Sequence, residues 1–203
     1  MPEAVTAIAL GHHVTTDEEW FWFATTDDGQ RCDADDHTRA VCEAIKAELE
    51  KLGHKSKLVD YPGESGLQFR YVAQAAGLGK IGTNAFLLHP AWGPWIHLRV
   101  LMTTAVLDVH PALKGGNLCD QCGVCVSECP AGALLEEDFD GHRCRSYRGK
   151  LGEYVPRGPD RRYDYCEICA RVCPLGEEPF SKTRSNYMPP SGSGPTLASK
   201  QKT

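Results

Sequence analysis

Apolar and polar positions change their period several times along the 203 residues. Val5, Ile8, Ala9 and Leu10 form an apolar block within 4–14, which predicts a buried strand. Val41, Ile45, Leu49 and Leu52 then recur at helical spacing. Asp35 or Asp36 can cap that helix, which runs to about Leu52 and stops at Gly53. Residues 57–61 predict a second strand and 67–76 a second helix. Residues 85–88 and 95–109 read as strands joined by the turn Pro90-Ala91-Trp92-Gly93-Pro94. Helices mixed with an antiparallel pair point to an α+β class. Beyond Lys114-Gly115-Gly116-Asn117, a linker turn, the apolar periodicity gives way to cysteine. After Tyr187 the chain becomes rich in Pro, Gly and Ser, the composition of a disordered tail. The expected division is 1–112, 113–187 and a tail at 188–203.

Composition narrows the class. Hydrophobic residues make up 41% and charged residues 24%, a globular balance that excludes a mostly disordered chain. No run approaches the roughly 18 apolar residues of a membrane span. Met1-Pro2-Glu3 lacks the basic start and apolar block of a secretory signal. A cytoplasmic, membrane-free protein is the expectation. The net charge of −5 does not draw nucleic acid or an anionic membrane to the molecule as a whole. Charge is uneven, however. Residues 17–36 hold eight acidic side chains and one basic, and 143–162 hold seven basic and two acidic. The second stretch is either a solvated loop or a patch that contacts phosphate.

Ten cysteines without an export signal argue for metal over disulfides. Cys119-x2-Cys122-x2-Cys125-x3-Cys129-Pro130 is the bacterial ferredoxin run. The tight spacing wraps three thiolates around one iron–sulfur cube, and the fourth reaches a neighbouring cube. Cys166-x2-Cys169-x3-Cys173-Pro174 repeats the end of that run without its first member, which Cys144 supplies from upstream. Two [4Fe–4S] clusters result. By crossover, the first takes Cys119, Cys122, Cys125 and Cys173, and the second Cys129, Cys144, Cys166 and Cys169. Two CxxC pairs also build zinc sites, but zinc does not call for eight thiolates in this run. Cys32 and Cys42 read as ordinary small residues. Two adjacent cubes form an electron wire, and some 110 preceding residues are more than a simple carrier needs.

Gly77-Leu78-Gly79-Lys80-Ile81-Gly82 matches a dinucleotide fingerprint in letters only, because it follows a helix and leads into a strand. Ala75-Ala76-Gly77-Leu78-Gly79-Lys80-Ile81-Gly82-Thr83-Asn84, followed by the double cysteine run, Cys129-Pro130-Ala131-Gly132-Ala133-Leu134 and Arg143-Cys144-Arg145-Ser146-Tyr147, resembles the epoxyqueuosine reductase family and its reductive dehalogenase relatives. The resemblance implies a nitroreductase-like cobalamin-binding domain followed by a bacterial ferredoxin-like double-cluster domain. It implies a base-off cobalamin reduced by single electrons for epoxide deoxygenation or dehalogenation, with Ser146 and Tyr147 as cofactor-binding residues. The family's proton-donating aspartate corresponds best to Asp60 in Val59-Asp60-Tyr61-Pro62, with Glu64 and Tyr71 as alternatives. Its C-terminal tRNA-binding repeats have no counterpart here. Together with the acidic charge, this weighs against tRNA as the substrate. The expected partners are a small-molecule substrate or a corrinoid protein, and an external low-potential electron donor. A two-cluster ferredoxin-type carrier and a reductase that reactivates another protein's corrinoid are the other readings.

The eight histidines show no close ligand spacing; His12-His13 is the only adjacent pair. Trp20-Phe21-Trp22-Phe23 is dense enough to build a core, a dimer face or a stacking wall.

Overall fold

The computed structural model describes residues 1–27, 29–60, 66–109, 113, 118–135, 138–152, 155–159, 161–163 and 165–176. The proposed linker at 114–117, Glu64 and the tail at 188–203 lie outside the described residues.

A three-stranded antiparallel sheet forms the centre of the front half. Strand β7 (Ile96–Thr103) lies in the middle, flanked by β1 (Thr6–His13) and β4 (Ser56–Leu58). β1 pairs with β7 over eight residues, from Thr6 opposite Thr103 to His13 opposite Ile96. Both faces of β7 are covered, so its alternation splits two apolar sets. Leu101 packs with Cys42, Leu49 and Ala105 under helix α2 (Asp33–Lys51), joined by Ile8, Leu10 and Leu58. Val100 packs with Val59 and Phe69, and Ile96 with Ala73 and Leu87, beneath helix α3 (Phe69–Ala75). Two helices on opposite faces of a small sheet give the α+β arrangement.

The apolar stripe of α2 differs from the one expected. Val41 is 49% and Leu52 74% exposed, whereas Ala34, Asp35, Thr38, Cys42 and Leu49 face inward. The helix is rotated so that fully buried Cys42 meets the sheet in place of Val41. The cap differs as well. Cys32 is the N-cap, and Asp35 lies within the first turn with its side chain turned into the protein. Burial there is tolerated because Arg99 meets it with two 2.6 Å hydrogen bonds, Nε to Oδ1 and Nη2 to Oδ2, and His97 Nε2 lies 2.9 Å from Oδ1.

The expected hairpin between 85–88 and 95–109 is not formed. The turn closes, with reciprocal backbone bonds of 2.8 and 2.9 Å between His89 and Gly93. The strands on either side of it then take different partners. β6 (Leu87–Leu88) pairs with β5 (Lys80–Ile81), and β7 joins β1 and β4. The glycine segment runs from the end of α3 into β5, as its context in the chain implied.

A second small sheet ties the two halves together. β2 (Trp22–Ala24) lies between β3 (Gln30–Arg31) and β8 (Arg162–Tyr163). Short helix α1 (Asp17–Trp20) precedes β2. The core over this sheet mixes Val14, Phe21, Cys32, Ala34 and Trp95 from the front with Ala170 and Tyr165 from the cysteine region. That region adds helices α4 (Val124–Ser127), α5 (Gly141–Leu151) and α6 (Ile168–Arg171). The acidic 17–36 stretch and the basic 143–162 stretch are thus neighbours. Arg161 Nη1 bonds the Thr25 carbonyl at 3.2 Å, and the Arg162 guanidinium lies 4.5 Å over the Phe21 ring. No helix among the described residues is long and apolar enough to cross a membrane.

Candidate functional site

The cysteine runs fold as two loop-and-helix units. Gly123, in left-handed backbone, turns the first run into α4, which carries Cys125. Asp140 caps α5 by accepting from the His142 and Arg143 amides at 3.0 Å, and α5 presents Cys144 on its first turn. α6 carries Cys169.

Cys119, Cys122, Cys125 and Cys173 line one cavity of about 170 Å³, so the last cysteine of the second run closes the pocket begun by the first. Burial raises the Cys125 thiol pKa, and the charges of Cys119, Cys122 and Cys173 raise it further. Burial pushes Cys169 up to about 12, with Cys166, Cys129 and Cys144 as the nearest like charges. Cys125 of the first pocket acts on Cys169 as well, so the two groups of cysteines adjoin. Burial and like charge make Cys125, Cys169 and Cys173 poor isolated thiolates and good ligands for a cationic core, so the donor set fits metal. No three of these sulfurs lie mutually within 4.8 Å among the described residues, whereas a tetrahedral zinc site holds its sulfurs about 3.8 Å apart.

The glycine segment supplies the wall of the first pocket. Thr83 Oγ1 lies 3.4 Å from Cys119 Sγ, and Asn84, 4% exposed, donates Nδ2–H to the Cys169 carbonyl at 3.3 Å. Burial opposes ionisation of Cys119, but the hydrogen bonds from Thr83 leave its pKa lowered overall. Both residues end the segment that carries the family resemblance, but their contact with the cysteines follows only from where the glycine turn points. The Pro90–Pro94 turn approaches the other side. Gly93 (φ 57°) packs on the Leu175 backbone, and Gly176 (φ 75°) on that of Trp92.

A second cavity, of about 410 Å³, lies between the two halves. Trp20, Trp22, Phe86 and Tyr165 give it aromatic walls, and Glu19, His97 and Arg148 bring charge or polarity. Cys166 also lines it. Trp20 is fixed by a 3.1 Å bond from Nε1 to Glu167, whose other oxygen pairs with Arg171 at 2.6 Å. Arg148 lies 4.9 Å over the Tyr165 ring. The aromatic run is therefore half core and half wall, with Phe21 buried and both tryptophans at the cavity.

Among the residues singled out from sequence, Asp60 is exposed just beyond β4, Tyr71 is 52% exposed, Ser146 is exposed on α5 and Tyr147 is half-buried. None of these four lines the large cavity among the described residues; the α5 residue that reaches it is Arg148. His97 and its buried partner Asp35 were missed, because nothing in the sequence marks a strand histidine that faces a helix aspartate 62 residues away.

Residues 118–176 match the 4Fe-4S double cluster binding domain. The chain is 32% identical over 142 residues to epoxyqueuosine reductase of Aliivibrio fischeri, covering 67% of this chain and 37% of that one. It is 35% identical over 108 residues to epoxyqueuosine reductase of a Synechococcus species, covering 52% and 33%. This chain is related to the epoxyqueuosine reductases. Solved structures agree on the fold. Epoxyqueuosine reductase of Streptococcus thermophilus superposes with a TM-score of 0.60 at 18% identity, over 86% of this chain and 50% of that one. An epoxyqueuosine reductase bound to an epoxyqueuosine-modified tRNA stem loop superposes at 0.62 and 22%, over 86% and 49%. The chain spans less than two-fifths of these curated relatives and about half of these solved structures.

Proposed function

We propose that the chain is an iron–sulfur reductase in which two [4Fe–4S] clusters pass single electrons to an acceptor in the 410 Å³ cavity. Cys119, Cys122, Cys125 and Cys173 hold one cluster, and Cys129, Cys144, Cys166 and Cys169 the other. The position of Cys166 carries the reading, since the residue assigned to the second cluster also lines the cavity. An electron reaching that cluster is already at the acceptor's edge.

The resemblance implies base-off cobalamin as the acceptor. The flat aromatic walls and the Arg148 cation suit a macrocycle with polar edges. The cavity is on the scale of a drug-sized ligand, about 300–1,000 Å³, so it receives the part of such a cofactor that faces the cluster. Ser146 and Tyr147, beside Arg148 on α5 and outside the cavity lining, are the residues the resemblance offers for the cofactor's periphery. Bound cobalamin would supply a strongly reducing metal centre for epoxide deoxygenation or dehalogenation.

The chain's own residues supply the proton. Asp60 is the acid the resemblance offers, and His97 is the acid the cavity offers, held by Asp35. Loss of turnover in Asp60→Asn with His97→Gln active assigns the role to Asp60, and the reverse assigns it to His97.

The test is anaerobic reconstitution with iron and sulfide, followed by titration with hydroxocobalamin. The panel of substrates comprises small epoxides, organohalides and an epoxyqueuosine-bearing tRNA stem loop, with reduced viologen as donor. Stoichiometric cobalamin binding and turnover of a panel member are expected. Iron and sulfide uptake with no cobalamin affinity would leave a two-cluster electron carrier, and transfer only to a partner's cobalt would leave a corrinoid-reactivating reductase.

A further inference from the structure

The adjacent His12 and His13 point to opposite faces of β1. His13 stacks on Trp92, with ring centroids 4.8 Å apart and planes within 7°. His12 turns toward α2, where it meets Glu19 of α1 and His37 of α2. The ligand atoms of His12, Glu19 and His37 all lie within 4.8 Å of one another. No other group of three or more potential metal ligands does so among the described residues.

We propose that His12, Glu19 and His37 form a third metal site, separate from the cysteines, for a divalent cation of the zinc class. Two imidazoles and one carboxylate are a donor set that such ions take, with a remaining position open to water or another oxygen donor. The carboxylate is already oriented. Glu19 Oε2 accepts from the Thr15 amide at 2.6 Å and the Thr15 hydroxyl at 2.8 Å, which aims Oε1 at His12 Nε2, 2.9 Å away. The His12–Glu19 contact marks the place where a cation replaces a shared proton. The rings of His12 and His37 are 5.4 Å apart between centroids, tilted by 53°. Tetrahedral zinc asks for ligand atoms about 3.4 Å apart. His37 is exposed, so closing that gap takes a side-chain rotation on a rigid helix. Glu19 also lines the large cavity, so the ion would stand at its rim. The proposal does not depend on cobalamin or on the reaction.

Spacing could not show this group, because its members come from a strand, a short helix and a long helix. The test uses cluster-loaded protein under anaerobic conditions. Zinc is added, excess is removed by dialysis, and zinc and iron per chain are measured together. About one zinc per chain with iron unchanged is expected. His37→Ala and Glu19→Gln should each lower zinc retention at least tenfold, and His142→Ala, an exposed histidine elsewhere, should leave it intact. Retention of no zinc would overturn the site. Equal zinc in His37→Ala and the parent would overturn it too, as would zinc gained only as iron is lost, since those ions would sit on the cysteines. His37 is exposed and alanine favours a helix, so this variant folds and each result bears on the site.

Discussion

Thr83 Oγ1 stands 3.4 Å from Cys119 Sγ, bringing a hydroxyl from the end of the glycine turn to a cysteine 36 residues further on. With iron on the sulfur, the hydroxyl donates and stabilises the more negative, reduced cluster. Thr83→Val removes that donor without changing the side chain's shape. A neutral hydrogen bond nets about 0.5–1.5 kcal/mol, which for a one-electron couple is about 20–60 mV. The first cluster's potential should fall by about that much in an EPR-monitored redox titration. An unchanged potential would remove Thr83 from the cluster's environment.

Cys144 sits on α5, whose start is fixed by the Asp140 cap, and is proposed as a ligand of the second cluster. Cys144→Ser should cost one cluster and spare the other, taking iron from about eight to about four atoms per chain. Iron analysis and EPR of the reduced protein check this. Asp140→Ala should weaken the same cluster while costing about 1 kcal/mol of stability. Full iron in Cys144→Ser would require a different fourth ligand.

Asp35 and Arg99 are both almost wholly buried. Removing one partner leaves the other as an uncompensated charge, so Asp35→Asn should destabilise the fold by about 3–5 kcal/mol in denaturant titrations near pH 7. Burial opposes ionisation of Asp35, but hydrogen bonds from His97 and Arg99 and the Arg99 charge outweigh it, holding the carboxyl down to about 2 against an ordinary 3.8. A depressed folded pKa means the stabilisation is complete above about pH 4 and is lost as pH falls toward 2. The parent should lose stability through that window more steeply than Asp35→Asn, as followed by tryptophan fluorescence. Equal slopes would disconnect the pair from acid unfolding.

Gly93 adopts left-handed backbone and presses on the chain just after Cys173. Alanine there carries about 1–2 kcal/mol of backbone cost and drives a methyl group into the Leu175 carbonyl. Gly93→Ala should lower stability by more than that backbone cost and reduce iron at the first cluster, both measurable in one preparation. A variant with native iron content would show that the turn does not brace the pocket.

The cysteine chemistry was legible because ligand spacing is a local property, and seven sulfurs in two runs, with Cys144 between them, leave few ways to close two groups of four. Strand partners were not, since the Pro90–Pro94 turn looks like a hairpin whether or not its arms pair with each other. What decides is the long apolar edge of β1, which outbids two-residue β6 for β7. Asp35 read as a cap because its counterpart, Arg99, lies 64 residues away. The same distance in sequence hid His97, and the rotation that puts Cys42 inward left Val41 outside.

Because Trp22 and Phe23 share strand bonds with Tyr163 and Arg162, the chamber's aromatic floor is stitched to the segment that leads into the second cysteine run. Loss of metal from that run would loosen this wall of the chamber as well.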